Sequence, residues 1–342
     1  MSPPSMTPPS MSAPSMSNAG RSAVIGVVAA AAAAVLFGIN ATVSKLALGA
    51  GLSSLDLVQL RSLGSAVILM AFIMLTRPAT LRAGRRELGF LLTVGIIGIG
   101  LVQWFYFVAI SRLPVGIALL LEYLAPVLVV LWVRFVRRQT VRARMWAALA
   151  FAVVGLAIVA RIWDGLTLDG LGLLAGLGAA ASLATYYLSS ERGMGSRDPL
   201  SLAAWTFTAA ALFWSVLRPP WSFDWSRLGA SVVAPAPLDG TSVPLWVFVI
   251  WIIVLGTVVP YSFILVALGS LGSARTGLLG MAEPVMAGLV AWLVLGEMLT
   301  GVQLSGAALI LSGIVLAETA RQRTRGAGSE PAPAPIGGPA DP

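Results

Sequence analysis

Cysteine and histidine are both missing from the 342 residues. Their absence removes disulfides, thiol nucleophiles, the commonest metal ligands and the side chain that titrates nearest neutral pH. Charge is scarce as well: Asp, Glu, Lys and Arg make up 11% of the chain, against 58% hydrophobic residues. A soluble globule has an apolar share of about 45–50% and no interior large enough for this much apolar surface. The excess requires lipid as solvent. The formal charge of +8 would suit nucleic acid, but the basic residues fall in short runs between apolar segments instead of forming an aromatic-interleaved surface. No GxxxxGK[ST] run occurs, so nothing points to a built-in ATP motor.

What the chain does have is apolar length. Crossing roughly 30 Å of hydrocarbon takes about 20 residues of helix. Ten such stretches can be drawn, at about 23–49, 54–76, 88–110, 113–135, 143–162, 169–190, 199–217, 245–269, 272–295 and 300–319. The Ser/Pro/Met-rich opening, residues 1–20, and the Pro/Ala-rich end, 321–342, lack the bulky apolar surface to offset ordering entropy and read as disordered tails. Arg21 and the run after it imitate a signal peptide. The apolar stretch continues to about Gly49, however, and reads better as the first span.

Basic residues set the orientation. With the N-terminus in the cytoplasm, sixteen fall inside: Arg21, Arg77, Arg82, Arg85, Arg86, Arg134, Arg137, Arg138, Arg142, Arg144, Arg192, Arg197, Arg275, Arg321, Arg323 and Arg325. Four fall outside, Arg112, Arg161, Arg218 and Arg227, and the bias puts both termini in the cytoplasm. The long connection at about 218–244 then lies outside, its tryptophans suited to the membrane interface.

Sliding the sequence on itself by 158 positions places Gly98 on Gly256, Phe105 on Phe263, Ala109 on Ala267, Pro126 on Pro284 and Gly155 on Gly313. The third to fifth spans thus match the eighth to tenth, and the first two match the sixth and seventh after a gap. The fold expected is an all-α membrane protein of ten transmembrane helices in two five-helix repeats, 21–162 and 163–320. Five is odd, so the second repeat enters from the opposite side and the two are inverted.

Two carboxylates fall near the middle of spans, Glu122 in LEYLAPV and Glu283 in GMAEPV. A charge at such depth costs about 2.5–3.5 kcal/mol on insertion scales, so intramembrane ionisable groups are functional candidates by default. The plainer alternative is static: protonated, or paired with Arg61 or Lys45. Each carboxylate neighbours a repeat-related proline. Pro126 cannot donate to the carbonyl of Glu122, nor Pro284 to that of Gly280, which predicts a kink and a freed carbonyl in each helix. Arg61 lies about seven residues into the second span and suits a substrate carboxylate. Asn40, Gln103, Tyr106, Tyr123, Tyr186, Trp205 and Tyr261 could bound a pocket of mixed polarity, though each alone is more often packing. Lys45 is close enough to a helix end to snorkel. Glu297 reads as a helix-terminal ion pair outside the site.

The segments Leu36–Ser62, Phe107–Leu131 and Val259–Gly313 resemble the EamA family of the drug/metabolite transporter superfamily, over about residues 23–320. Leu121–Pro126 and Glu283–Glu297 are especially similar to its threonine/homoserine exporter branch, whose carboxylate on the fourth helix matches Glu122 and whose EP and LGE motifs match Glu283, Pro284 and Leu295–Glu297. The first repeat departs from it, with VRRQ at Val136–Gln139 where the second has LGE. The resemblance implies ten helices, an inverted repeat and secondary export of an amino acid or related metabolite from a bacterial cell through its inner membrane, with proton coupling as an option. No cofactor, metal or nucleic acid is implied. The expected partners are lipid and a small-molecule substrate, with a homodimer left open. Drug efflux, metabolite uptake and a membrane scaffold or receptor remain alternatives. An intramembrane enzyme would have only the carboxylates to work with.

Overall fold

The computed structural model describes residues 16–138, 143–160, 168–193, 198–233, 242–280 and 282–327. The outer parts of both expected tails, together with Gln139, Arg142, Arg161, Arg197 and the tip of the long connection, lie outside these residues. The structure is helical almost throughout. In order come α1 (Met16–Gly49), α2 (Ser54–Thr76), α3 (Arg85–Gly95), a π-turn at Ile96–Leu101, α4 (Val102–Ile110), α5 (Val115–Glu122), α6 (Ala125–Phe135) and α7 (Ala143–Ala160). The second half has α8 (Gly170–Gly193), α9 (Pro199–Leu217), α10 (Leu245–Ile253), a π-turn at Val254–Val258, α11 (Val259–Gly280), α12 (Glu283–Leu295) and α13 (Gly301–Ala327). α1 and α13 carry helix into 16–20 and 321–327, residues that composition alone assigns to the tails. The long connection holds a short antiparallel hairpin, β1 (Ser231–Val233) with β2 (Ser242–Pro244).

Among the described residues five helices are long and apolar enough to cross a membrane, and five shorter apolar ones make up the ten spans. Val67, Leu75 and Val216, exposed at 60%, 86% and 81%, show what the outer surface is made of. Such side chains belong in hydrocarbon.

The fourth and ninth spans are short because they are interrupted, α5 giving way to α6 and α11 to α12. The eighth and ninth spans are joined within α11. Phe37 meets Tyr261, Gly26 lies against Leu271, Leu279 packs against the cluster of Ala29, Ala30 and Ala267, and Gly38 lies against Met286 and Ala287. The chain therefore runs along α1 in one direction from Tyr261 to Leu271 and returns along it to Ala287.

The inverted repeat is visible in the contacts. α1 packs along α11 and α12, while α8, its counterpart, packs along α4, α5 and α6; α2 pairs with α9 and α7 with α13. A Cβ built on Gly155 would stand 2.7 Å from Gly306 O, and one on Gly313 would stand 2.8 Å from Ala148 O. Those two contacts exchange under the 158-residue offset. Gly26 against Leu271 repeats as Gly172 against Leu113, and Gly256 against Asn40 repeats as Gly98 against Tyr186. The first helix of each repeat thus carries an offset of 146. Small residues at these crossings let helix backbones approach closely, the main attraction available between helices in lipid.

Candidate functional site

The two prolines do more than kink their helices. Pro126 has no N–H to continue the ladder, so α5 ends at Glu122, Leu124 N donates to Leu121 O at 3.1 Å, and α6 restarts at Ala125 with the proline in its first turn. Around Pro284 the same thing happens: Ala282 N donates to Leu279 O at 3.1 Å and α12 restarts at Glu283. The expected kinks are full interruptions. Glu122 closes α5, whereas Glu283 opens α12, the end at which backbone N–H groups and the helix dipole receive a carboxylate.

Tyr123 ties the interruptions together across the repeats. Its Oη donates to Glu283 Oε2 at 2.9 Å and stands 3.3 Å from Gly280 O, the carbonyl that Pro284 leaves without a helical donor. Tyr123 came out of the sequence only as one aromatic among several; its central place follows from the crossing of α5 and α12.

Arg61 is 7% exposed. Its Nε donates to Thr257 Oγ1 at 2.8 Å, Nη2 reaches Gly256 O at 3.5 Å, and the guanidinium lies 5.7 Å from the centre of the Phe107 ring. Thr257 in turn donates its Oγ1 hydroxyl to Ile252 O at 2.7 Å, a side-chain bond reaching five residues back at the π-turn. Asn40, 2% exposed, packs on the same Gly256. Neither carboxylate forms a direct ion pair with Arg61 among the described residues. Lys45 pairs with Glu297 instead. Arg61 nonetheless lies within electrostatic reach of Tyr261, Tyr106, Glu122 and Glu283, and Glu122 within reach of Glu283.

Aromatic rings bound this group. Tyr261 stands edge-on to Phe37 at 5.7 Å and to Phe207 at 5.5 Å, and it interacts electrostatically with Tyr186. Tyr186 rests on Gly98 as Asn40 rests on Gly256. Gln103 occupies in the first repeat the position that Tyr261 holds in the second. Asn40 Oδ1, Gln103 Oε1 and Trp205 Nε1 are buried with no hydrogen-bond partner among the described residues. Gln103 and Trp205 are not joined to the carboxylates by any hydrogen bond there. Of the ten side chains singled out in sequence, the structure gathers Arg61, Tyr106, Glu122, Tyr123, Tyr261 and Glu283 into one electrostatic cluster, with Asn40 and Tyr186 at its edges.

Sequence reading missed Thr257. A lone threonine in an apolar span was the available signal, but its use depends on the π-turn. Beside the cluster, an apolar cleft of about 540 Å³ runs between α5, α12 and α13, from Glu297 and Leu299 down to Leu120 and Pro284. Among the described residues no group of three or more acidic side chains is placed to hold a metal ion.

A positive side chain and two carboxylates within electrostatic reach of one another can receive a ligand bearing both charges. Comparison with known proteins bears on this arrangement. The EamA-like transporter family matches the chain twice, over residues 24–161 and 170–319. The threonine/homoserine exporter RhtA of Escherichia coli K12 is 30% identical over 247 residues, covering 72% of this chain and 75% of the exporter. An uncharacterised inner membrane transporter of Salmonella typhimurium, YicL, is 24% identical, covering 86% of this chain and 96% of its own. A crystal structure 21% identical in sequence superposes with a TM-score of 0.52 over 91% of this chain and 99% of the other, and so shares the fold.

Proposed function

The chain belongs to the EamA-like transporter family, and from that premise we propose that it exports a small zwitterionic metabolite, an amino acid such as threonine or homoserine or a close relative. The observation that carries this reading is the cluster of Arg61, Glu122 and Glu283 where both repeats are interrupted. Arg61 Nη atoms receive the substrate carboxylate in bidentate fashion. Glu122 and Glu283 receive the ammonium group or exchange protons, and Tyr106, Tyr186 and Tyr261 bound the side chain. The named exporter relatives support the same substrate class.

Transport follows the alternating-access scheme of inverted repeats: two bundles rock about the mid-membrane site so that it faces one side at a time. The protein sits in a bacterial inner membrane with both termini in the cytoplasm, and residues 21–162 and 163–320 are its two moving units. An apolar cation is the second reading, favoured by the cleft that reaches Pro284.

The test is efflux from loaded cells or vesicles of a radiolabelled panel containing neutral amino acids and one hydrophobic cation. Export of a neutral amino acid that Glu122→Gln and Glu283→Gln each reduce at least tenfold, at matched membrane abundance, is the expected result. If both variants export at the unmodified rate, the carboxylates are not in the mechanism. If only the cation is moved, the substrate class is wrong.

A further inference from the structure

Lys45 and Glu297 lie some 250 residues apart in sequence and meet at the end of the bundle that holds the α4–α5 and α12–α13 connections. Lys45 Nζ is 2.5 Å from Glu297 Oε1 and donates to Leu113 O at 2.7 Å. Glu297 Oε2 accepts from Val115 N at 2.9 Å. One carboxylate thus joins the end of α1, the turn before α5 and the turn after α12. The local chain is built for it. Gly296 has φ +67°, in the left-handed region that closes helices, and turns the next residue out of line with α12. Val115 N is one of the first donors of α5, which the helix itself leaves unbonded, so Glu297 acts as its cap.

α5 is only eight residues long, Val115–Glu122. Its first residue is bonded to Glu297 and its last is Glu122. Two turns of helix, about 12 Å, therefore separate the Glu297 contact from the mid-membrane carboxylate. Between these ends, α5 and α12 touch through glycines: a Cβ built on Gly288 would meet nothing nearer than Gly116 Cα at 4.0 Å. No side chains interlock at this glycine contact, so the outer tie is the polar contact nearest the end of the bundle. Under the repeat offsets, Glu297 falls on Gln139 and Lys45 on Glu191, so the sequence does not repeat the acid–base pair at the opposite end.

We propose that the Lys45–Glu297 pair is the gate that holds the site closed toward the outside, and that these two are positioning residues acting on Glu122 through α5. The pair must break for the outward-open state. With it broken, that state gains population. The inference rests on the alternating-access reading above, but its test scores accessibility and not export, so failure of the substrate reading leaves it standing.

The absence of cysteine makes the test direct. Ala47 is fully buried two residues beyond Lys45, and Ser226 is exposed in the long connection. Each is replaced singly by cysteine, and intact cells are treated with a membrane-impermeant maleimide. Ala47→Cys is expected to react slowly in the parent and about ten times faster with Glu297→Gln or with Lys45→Met, whereas labelling of Ser226→Cys stays constant. A merely structural pair would leave the ratio of the two rates unchanged. Equal Ala47→Cys rates with and without the pair, while Ser226→Cys reacts, overturn the gate. No reaction at Ser226→Cys overturns the orientation, and the gate then faces the cytoplasm. Should Glu297→Gln fail to accumulate, Glu297→Asp keeps the charge but stops one methylene short of Val115. It must still raise the rate, and an unchanged rate counts against the gate.

Discussion

Tyr123 and Glu283 come from different repeats and are joined by a hydrogen bond of 2.9 Å, made beside the carbonyl of Gly280, 3.3 Å away. The phenol thus spans the two helix interruptions that the repeat-related prolines create. A donor lent to a carboxylate contributes about 1.5–3 kcal/mol.

Tyr123→Phe keeps the ring and removes the donor. Initial export rates at matched membrane abundance should fall about tenfold or more, the equivalent of about 1.4 kcal/mol. A rate within twofold of the parent would show that the link is dispensable in the cycle.

Arg61 offers its Nε to Thr257 and so holds its remaining nitrogens in a fixed plane. Arg61→Lys preserves the charge but has neither Nε nor the planar fork. Its KM for the proposed amino-acid substrate should rise about tenfold with a smaller change in maximal rate, and Arg61→Ala should abolish transport. Counterflow measured across a substrate range separates the two parameters, and an unchanged KM in Arg61→Lys would remove Arg61 from the substrate.

Gly256 leaves no room for a methyl group, because a Cβ there overlaps the Asn40 side chain. Gly256→Ala should lower stability by about 1–3 kcal/mol, the usual range for overpacking. Asn40→Ala in the same chain should restore most of it. Thermal unfolding in detergent of both single variants and the double variant reads the coupling, and additive losses would show that the two positions do not share one space.

Asp56 was not a candidate in the sequence, yet its side chain is 2% exposed and pairs with Arg218 at 2.7 Å, while Gln59 Nε2 donates to Arg218 O at 2.5 Å. These bonds fasten α2 to α9 at one end of the bundle. At the other end Arg77 meets Asp198 at 3.3 Å and Ser201 Oγ donates to Thr80 O at 2.7 Å. Removing one member of a buried pair costs about 3–5 kcal/mol, and the partly exposed Arg218 reduces this to about 2 kcal/mol. Asp56→Asn should therefore unfold several degrees below the parent, and Arg77→Ala, whose pair is more exposed, within about 2 °C of it.

Much of this was legible in sequence because lipid leaves few alternatives. Every backbone polar group in hydrocarbon needs an internal partner, so apolar stretches of about 20 residues had to be helices, and an odd number of them per repeat had to invert. The 158-residue offset drawn from Pro126/Pro284 and Gly155/Gly313 reappears as exchanged contacts between α7 and α13. The prolines located the freed carbonyl of Gly280. What they could not convey was its partner, since Tyr123 lies 157 residues away along the chain.

The residues of the cluster show the same division. Glu122, Glu283 and Arg61 announced themselves, because charge at mid-depth is costly and so conspicuous. Thr257 and Gly256 did not, because their role depends on a π-turn that apolar composition does not encode. Lys45 and Glu297 could each be seen near a helix end, but nothing in either segment says that they meet.

The sequence by itself determined the solvent, the number and inversion of the helices, and where two of them break, all of which follow from hydropathy, parity and the missing proline N–H. Only the tertiary structure decided which groups pair: Tyr123 with Glu283, Arg61 with Thr257 and Lys45 with Glu297. Those choices depend on how closely the helices cross and at what register, and that is set by small side chains facing one another across the repeats.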